Sequence, residues 1–251
     1  MFTVEERTRV RTGLLEMARA DPRLVAGAEV GSMALGRGDR WSDLDLTFGL
    51  ARGATVADVL PDWTRKLEHE FNAVHLFDLP FLSTMYRVFL FPGNLQVDLS
   101  FTPGAEFGAL GPKFTLLFGE AVNRDHVGPP SSRQLFGLGV HHAVRARICV
   151  ERGRLWEAEY WISGTRDEAL SLACRRRGLE ARYGRGYDDL PAEIRAPFHD
   201  ALVRSIDRDE LLRALGCAID ALLRETDEER DLASRVEAQL RELVSVDWPG
   251  T

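Results

Sequence analysis

Val30-Gly31-Ser32-Met33-Ala34-Leu35-Gly36, followed by Ser42-Asp43-Leu44-Asp45-Leu46, is the stretch on which the fold turns. Leu24 to Val30 reads as a strand, and Gly31-Ser32 then turns the chain into a short helical segment from Met33 to Gly36. The first N–H groups of such a segment have no intrahelical partner and can meet anionic oxygens, so a phosphate is expected at Gly31-Ser32. Leu44, Leu46 and Phe48 alternate with Asp43, Asp45 and Thr47. Period-2 geometry sends the leucines into a core and both aspartates to the other side. Carboxylates at that spacing repel one another unless a cation offsets them, and an all-oxygen donor set suits Mg²⁺ or Mn²⁺.

A third acid extends the pattern. In Leu95-Gln96-Val97-Asp98-Leu99-Ser100-Phe101 the apolar side chains alternate with polar ones, which puts Asp98 on the face opposite to Val97 and Leu99. If that strand lies beside the Asp43/Asp45 strand, the three carboxylates converge. With these elements in this order, the chain resembles the nucleotidyltransferase superfamily typified by DNA polymerase β: a hydrophobic strand, Gly-Ser, a gap, Asp-x-Asp, then a later Asp on a neighbouring strand. The likeness covers roughly the first 120 residues. It implies an α+β chain, with an N-terminal mixed sheet and flanking helices followed by a C-terminal helical bundle. It also implies a pair of Mg²⁺ ions held by Asp43, Asp45 and Asp98, with ATP as co-substrate. In size and two-part layout the chain resembles the aminoglycoside and lincosamide nucleotidyltransferases.

Composition agrees with a folded enzyme. The chain has 251 residues, 45% hydrophobic and 28% charged, which is ordinary globular usage and enough to bury a core. No apolar run is long enough to span a bilayer, and Glu5, Glu6, Arg7 and Arg9 occupy the place of a signal-peptide apolar region, so a cytoplasmic protein without membrane partners is expected. Cys149, Cys174 and Cys217 are widely spaced in apolar surroundings, which reads as buried thiols rather than a disulfide frame or zinc site. A net charge of −7 argues against a long nucleic-acid substrate, which needs a basic track, and is compatible with a cationic small molecule.

Along the chain, residues 4 to 20 have helical spacing, closed by Asp21-Pro22. Thr55 caps a helix to Phe71, with Asp58 completing the capping pattern. Ala73 to Leu79 and Met85 to Phe91 read as strands around Pro80, and Pro92-Gly93-Asn94 turns the second of them into the Asp98 strand as a hairpin. Pro103 to Pro130 is punctuated by glycine and proline around short apolar pieces such as Phe114 to Phe118. The boundary is placed near its end, giving an α/β domain over 1–128 and an acceptor-binding helical bundle over 129–251. The bundle is read as helices over Gln134 to Glu151, Arg154 to Arg177, Pro191 to Ser205, Arg208 to Glu225 and Glu228 to Val244.

Within the bundle, Trp156, Tyr160 and Trp161 share one helix with Glu157 and Glu159. The aromatics read as core with solvated glutamates, or else Glu157 or Glu159 faces a cleft. By the resemblance, a carboxylate there acts as general base on the acceptor hydroxyl, and Asp98 is the alternative base. Ser42, Arg37 and Arg40 lie between Gly36 and the carboxylates and are candidates to meet the triphosphate. Arg175-Arg176-Arg177, Arg182 and Arg185 form a basic run that suits either an anion or a helix C-terminus. His141-His142 has no partner at metal spacing and reads as structural.

The carboxylates point to metal-assisted nucleotidyl transfer, and the resemblance implies that a nucleoside monophosphate, AMP from ATP, moves onto a hydroxyl of an aminoglycoside-like small molecule, a role in antibiotic resistance. In it Gly31 lets the backbone approach the phosphates and Ser32 donates a hydroxyl hydrogen bond. AMP transfer to a protein hydroxyl and a non-catalytic nucleotide-binding regulatory module are the alternatives. An exposed aromatic face around Trp156 and Trp161 would make a homodimer, and a buried one leaves a monomer.

Overall fold

The computed structural model describes residues 1–36 and 38–245. It divides into two compact units, Met1–Gly128 and Pro129–Thr251.

The first unit is a mixed sheet with helices. Helix α1 (Val4–Ala20) starts at a capping box in which Thr3 Oγ1 accepts from the Glu6 N–H at 3.1 Å and Glu6 returns a carboxylate oxygen to the Thr3 N–H at 2.7 Å. Helix α2 (Val56–Phe71) opens with the same device, built from Thr55 and Asp58. The strands are β1 (Leu24–Val30), β2 (Leu44–Leu50), β3 (Val74–Phe81), β4 (Thr84–Phe91), β5 (Leu95–Pro103) and β6 (Phe114–Phe118), in the order β3-β4-β5-β2-β1-β6. Only β2 and β5 run parallel; the other neighbours are antiparallel.

Alternation divides the sheet into two surfaces. Leu44, Leu46, Phe48 and Leu50 of β2 and Leu95, Val97, Leu99 and Phe101 of β5 are buried in one cluster with Leu14 and Leu15 of α1 and Val59, Trp63 and Leu67 of α2. Trp63 is its keystone, with ring centroids 5.2 Å from Phe48 and 5.4 Å from Phe101. Its indole N–H donates to Asp21 Oδ2 at 3.0 Å, so the polar end of this buried ring is satisfied.

The second unit is helical: α3 (Ser132–Glu151), α4 (Leu155–Arg176), the single turn α5 (Ala192–Arg195), α6 (Arg208–Arg224) and α7 (Arg230–Glu242). Arg147 on α3 is fully buried; it donates to the Leu243 carbonyl at 2.6 Å and pairs with Glu151 at 2.6 Å, tying α3 to the end of α7. Among the described residues no helix is long and apolar enough to cross a membrane.

Four local readings change. Pro80 lies inside β3, and Leu82-Ser83 makes the hairpin turn, with Leu82 at φ 53°. An edge strand tolerates a proline because its outward backbone positions need no ladder donor. Phe114–Phe118, within the Gly/Pro-rich stretch, is a strand paired with β1. The helix expected over Pro191 to Ser205 ends at Arg195 and continues as a 3₁₀ segment, Ala196–Ala201, because Pro197 supplies no N–H to an α-helical ladder. Trp156 and Tyr160 are 77% and 66% exposed and so are not core.

Candidate active site

The end of β1 sets the first part of the site. Gly31 has φ +73°, and a Cβ at this position would collide with the Asp45 carboxylate. Glycine is therefore required twice, for the backbone angle and for the approach of the carboxylate. Ser32 leads into a 3₁₀ turn, Met33–Leu35, closed by Gly36 at φ +65°. Behind it, Arg11 of α1 grips the buried Glu29 of β1 with two hydrogen bonds, at 2.7 and 3.2 Å. Arg37 lies outside the described residues.

The loop that delivers the acids is held from below. Asp39 Oδ1 accepts from the Trp41 N–H at 2.8 Å and from the Ser42 hydroxyl at 3.1 Å, while the Asp39 N–H donates to Ser42 Oγ at 3.0 Å. The Trp41 N–H, then Ser42, lower the Asp39 pKa. The Ser42 hydroxyl is thus committed to its own loop, and the Arg40 guanidinium stacks over the Trp41 ring at 4.0 Å. Arg7, only 4% exposed on α1, donates to the carbonyls of Asp39 at 2.7 Å and Ser42 at 2.6 Å. Sequence reading missed Arg7, and the only signal for it is an arginine at a position where the helix faces inward.

Asp43 ends this loop, one residue before β2. Asp45 on β2 is the parallel register partner of Asp98 on β5, so the two point to the same face from strands about 4.8 Å apart. Burial is the main cause that raises the Asp98 pKa, and the charge of Asp43 adds to it; a hydrogen bond from Gln96 Nε2 at 3.1 Å acts the other way. Among the described residues no three acidic, imidazole or thiol groups are drawn together to ligation spacing. The donor chemistry nevertheless fits a hard divalent cation: all oxygen, with Asp98 half-buried in the negative field of Asp43.

Beyond the acids, the same face continues with hydroxyls. Thr47 and Ser100 are the next register pair, Tyr86 of β4 is the partner of Ser100, and Thr84 and Thr102 share a hydrogen bond at 2.7 Å. These side chains floor a cavity of about 140 Å³, walled by Phe107 and Phe114 and rimmed by Lys113 and Arg124. Burial raises the Tyr86 pKa, and the charges of Arg124 and Asp45 reach its hydroxyl with opposite effects.

The helical unit holds the remaining candidates. Glu157 pairs with Arg154 at 3.0 Å and Arg145 at 3.6 Å, and the Arg154 hydrogen bond is the largest cause lowering its pKa. Glu159 accepts from Ser163 at 2.7 Å. Arg176 and Arg177 close on Glu225, and Arg175 on Glu228, so these arginines are neutralised within the unit. His141 and His142 pack against Trp161 with centroids 6.0 and 5.2 Å away. A separate cavity of about 500 Å³ is lined by Glu168, Asp167, Ser171, Tyr183 and Tyr187. Burial, then the charge of Asp167, pushes the Glu168 pKa up to about 7.

No protein-family profile and no curated protein sequence matches the chain. Among solved structures it is similar to an aminoglycoside 6-adenyltransferase from Bacillus subtilis, at 11% identity and a TM-score of 0.37, over 97% of this chain and 99% of that one. A likeness this loose says nothing about activity.

Proposed function

We propose that the protein is a Mg²⁺-dependent nucleotidyltransferase that moves a nucleoside monophosphate, AMP from ATP, onto a hydroxyl of a small molecule of the aminoglycoside type. The observation that carries this reading is the lateral pairing of Asp45 with Asp98, beside Gly31 and within the field of Asp43. Two carboxylates brought side by side on adjacent strands repel one another, which sheet stability alone does not call for.

Asp43, Asp45 and Asp98 would hold Mg²⁺, which offsets triphosphate charge and makes an acceptor hydroxyl more acidic. The chain's own groups do the rest. Gly31 leaves the backbone open to phosphate oxygens, and the Ser32 hydroxyl donates to one. Arg7 and Asp39 fix the loop that presents Asp43. Asp98 is taken as the general base in preference to Glu157, whose proton affinity is lowered, chiefly by the Arg154 hydrogen bond.

The test is Mg²⁺-dependent pyrophosphate release from nucleoside triphosphates, with and without aminoglycosides, in wild type and Asp45→Asn. Release that needs both metal and acceptor and disappears in the variant supports the reading. Triphosphate binding without release would convert it to a regulatory module, and label appearing on protein would convert it to protein AMP transfer.

A further inference from the structure

The cavity beyond the carboxylates has a feature that sheet stability does not require. Ser100 is 2% exposed and Thr47 9% exposed, both line the cavity, and among the described residues neither hydroxyl has a hydrogen-bond partner. The two oxygens open into the cavity instead of being sealed in the sheet, so a ligand or water there can complete their bonding. By contrast, the neighbouring Thr84 and Thr102 satisfy each other at 2.7 Å.

Position decides what the ligand is. Asp45 and Asp98 are register partners, and Thr47 and Ser100 are the register partners two residues further along the same parallel strands. Two residues of strand rise about 6.6 Å, so the hydroxyl pair stands one side-chain repeat beyond the carboxylates on the same face. Gly31 lies against the Asp45 carboxylate at the other side of the acids. The face therefore runs in order from the glycine turn, through the carboxylates, to the hydroxyl floor. The walls there are aromatic: Phe107 and Phe114 pack with centroids 5.9 Å apart, and Tyr86 joins them along the floor. Flat apolar walls with a hydrogen-bonding floor suit a planar heterocycle. A phosphate would be poorly served by the phenyl rings.

We infer that this cavity is the nucleobase pocket, with the Thr47 and Ser100 hydroxyls reading the edge of the base and Lys113 and Arg124 supplying further donors at its rim. This rests on the nucleotidyltransferase reading and adds the part of the nucleotide that the carboxylates do not select. A hydroxyl both donates and accepts, so the pair can meet either a carbonyl or an amino group on the base.

The experiment is calorimetric titration, with Mg²⁺, of ATP, GTP, CTP, UTP and base-free tripolyphosphate into wild type, Thr47→Val, Thr47→Ser, Ser100→Ala and Asp45→Asn, each checked for unfolding temperature. The expected result is a loss of about 3- to 10-fold in affinity for the preferred nucleotide in Thr47→Val and Ser100→Ala, with tripolyphosphate binding unchanged and Thr47→Ser close to wild type. Equal weakening of nucleotide and tripolyphosphate would overturn the inference, because the cavity would then hold phosphate. Unchanged nucleotide affinity in both hydroxyl variants would overturn it as well, because the cavity would then hold only water. Asp45→Asn reports separately on the parent reading: if it leaves tripolyphosphate binding intact, the carboxylates do not serve a metal and phosphate site.

Discussion

The two faces of the six-stranded sheet are built from alternate residues of the same strands, yet they differ in how completely their groups are satisfied. On the helix-covered face, Phe48 and Phe101 meet Trp63, and every large side chain has packed neighbours. Even the carboxylate tucked beneath the helices is answered: Asp21 is held down to about 2, chiefly by the Arg23 side chain, and accepts from Trp63. On the open face Asp98 accepts, among the described residues, from Gln96, while burial and then the charge of Asp43 raise its proton affinity. One face is packed by helices, and the other carries carboxylates and hydroxyls beside a cavity.

That contrast can be broken or sharpened by substitution. Phe101→Ala should cost about 3–5 kcal/mol of stability, through lost burial and the cavity left beside Trp63, whereas Thr47→Val on the opposite face of the same sheet should shift it by no more than about 1 kcal/mol. Urea denaturation of the two variants checks this, and equal losses would mean that the open face is also core. Asp45→Asn should reverse the pattern: a native circular dichroism spectrum and unfolding midpoint, with transfer reduced by about 10²–10³-fold. Wild-type turnover in this variant would remove the carboxylate pair from the chemistry.

Gly31→Ala sits between these extremes. Its positive φ should cost about 1–2 kcal/mol, and the new methyl group must push the Asp45 carboxylate aside, so activity should fall further than stability predicts. The smallest effect concerns pH. A carboxylate whose folded pKa is raised contributes stability below its unfolded pKa of about 3.9, and that contribution is lost as pH rises through the folded value. Without Mg²⁺, Asp98→Asn should therefore melt above wild type at pH 7, with the gap closing toward pH 3, and Mg²⁺ should favour wild type. Asp21 has the opposite sign: its contribution is present above its unfolded pKa and is lost as pH falls toward about 2. Differential scanning calorimetry across pH separates the two.

What could be read before folding was local. The cap at Thr55, the alternation through β2 and β5, and the turn at Pro92–Asn94 each lie within a few residues of chain. What escaped depended on distant partners. Phe114–Phe118 becomes a strand because β1 offers it an edge, and Pro80 stays inside β3 because that edge lies open. Arg7 matters to the site through carbonyls 32 and 35 residues away. Exposure of Trp156 and Tyr160 was equally invisible, since a helical stripe of aromatics reads the same whether or not another helix covers it.

By itself the sequence determined the mixed sheet followed by helices, the glycine turn at Gly31 and the face on which Asp45 and Asp98 lie, because periodicity and backbone permissiveness are properties of short stretches. Only the tertiary structure decided that Asp45 and Asp98 stand side by side, that Thr47 and Ser100 open into a cavity, and that Glu157 is bound up by arginines. Strand order, register and ion pairing are set by contacts between residues far apart in the chain, and no local pattern encodes which strands become neighbours.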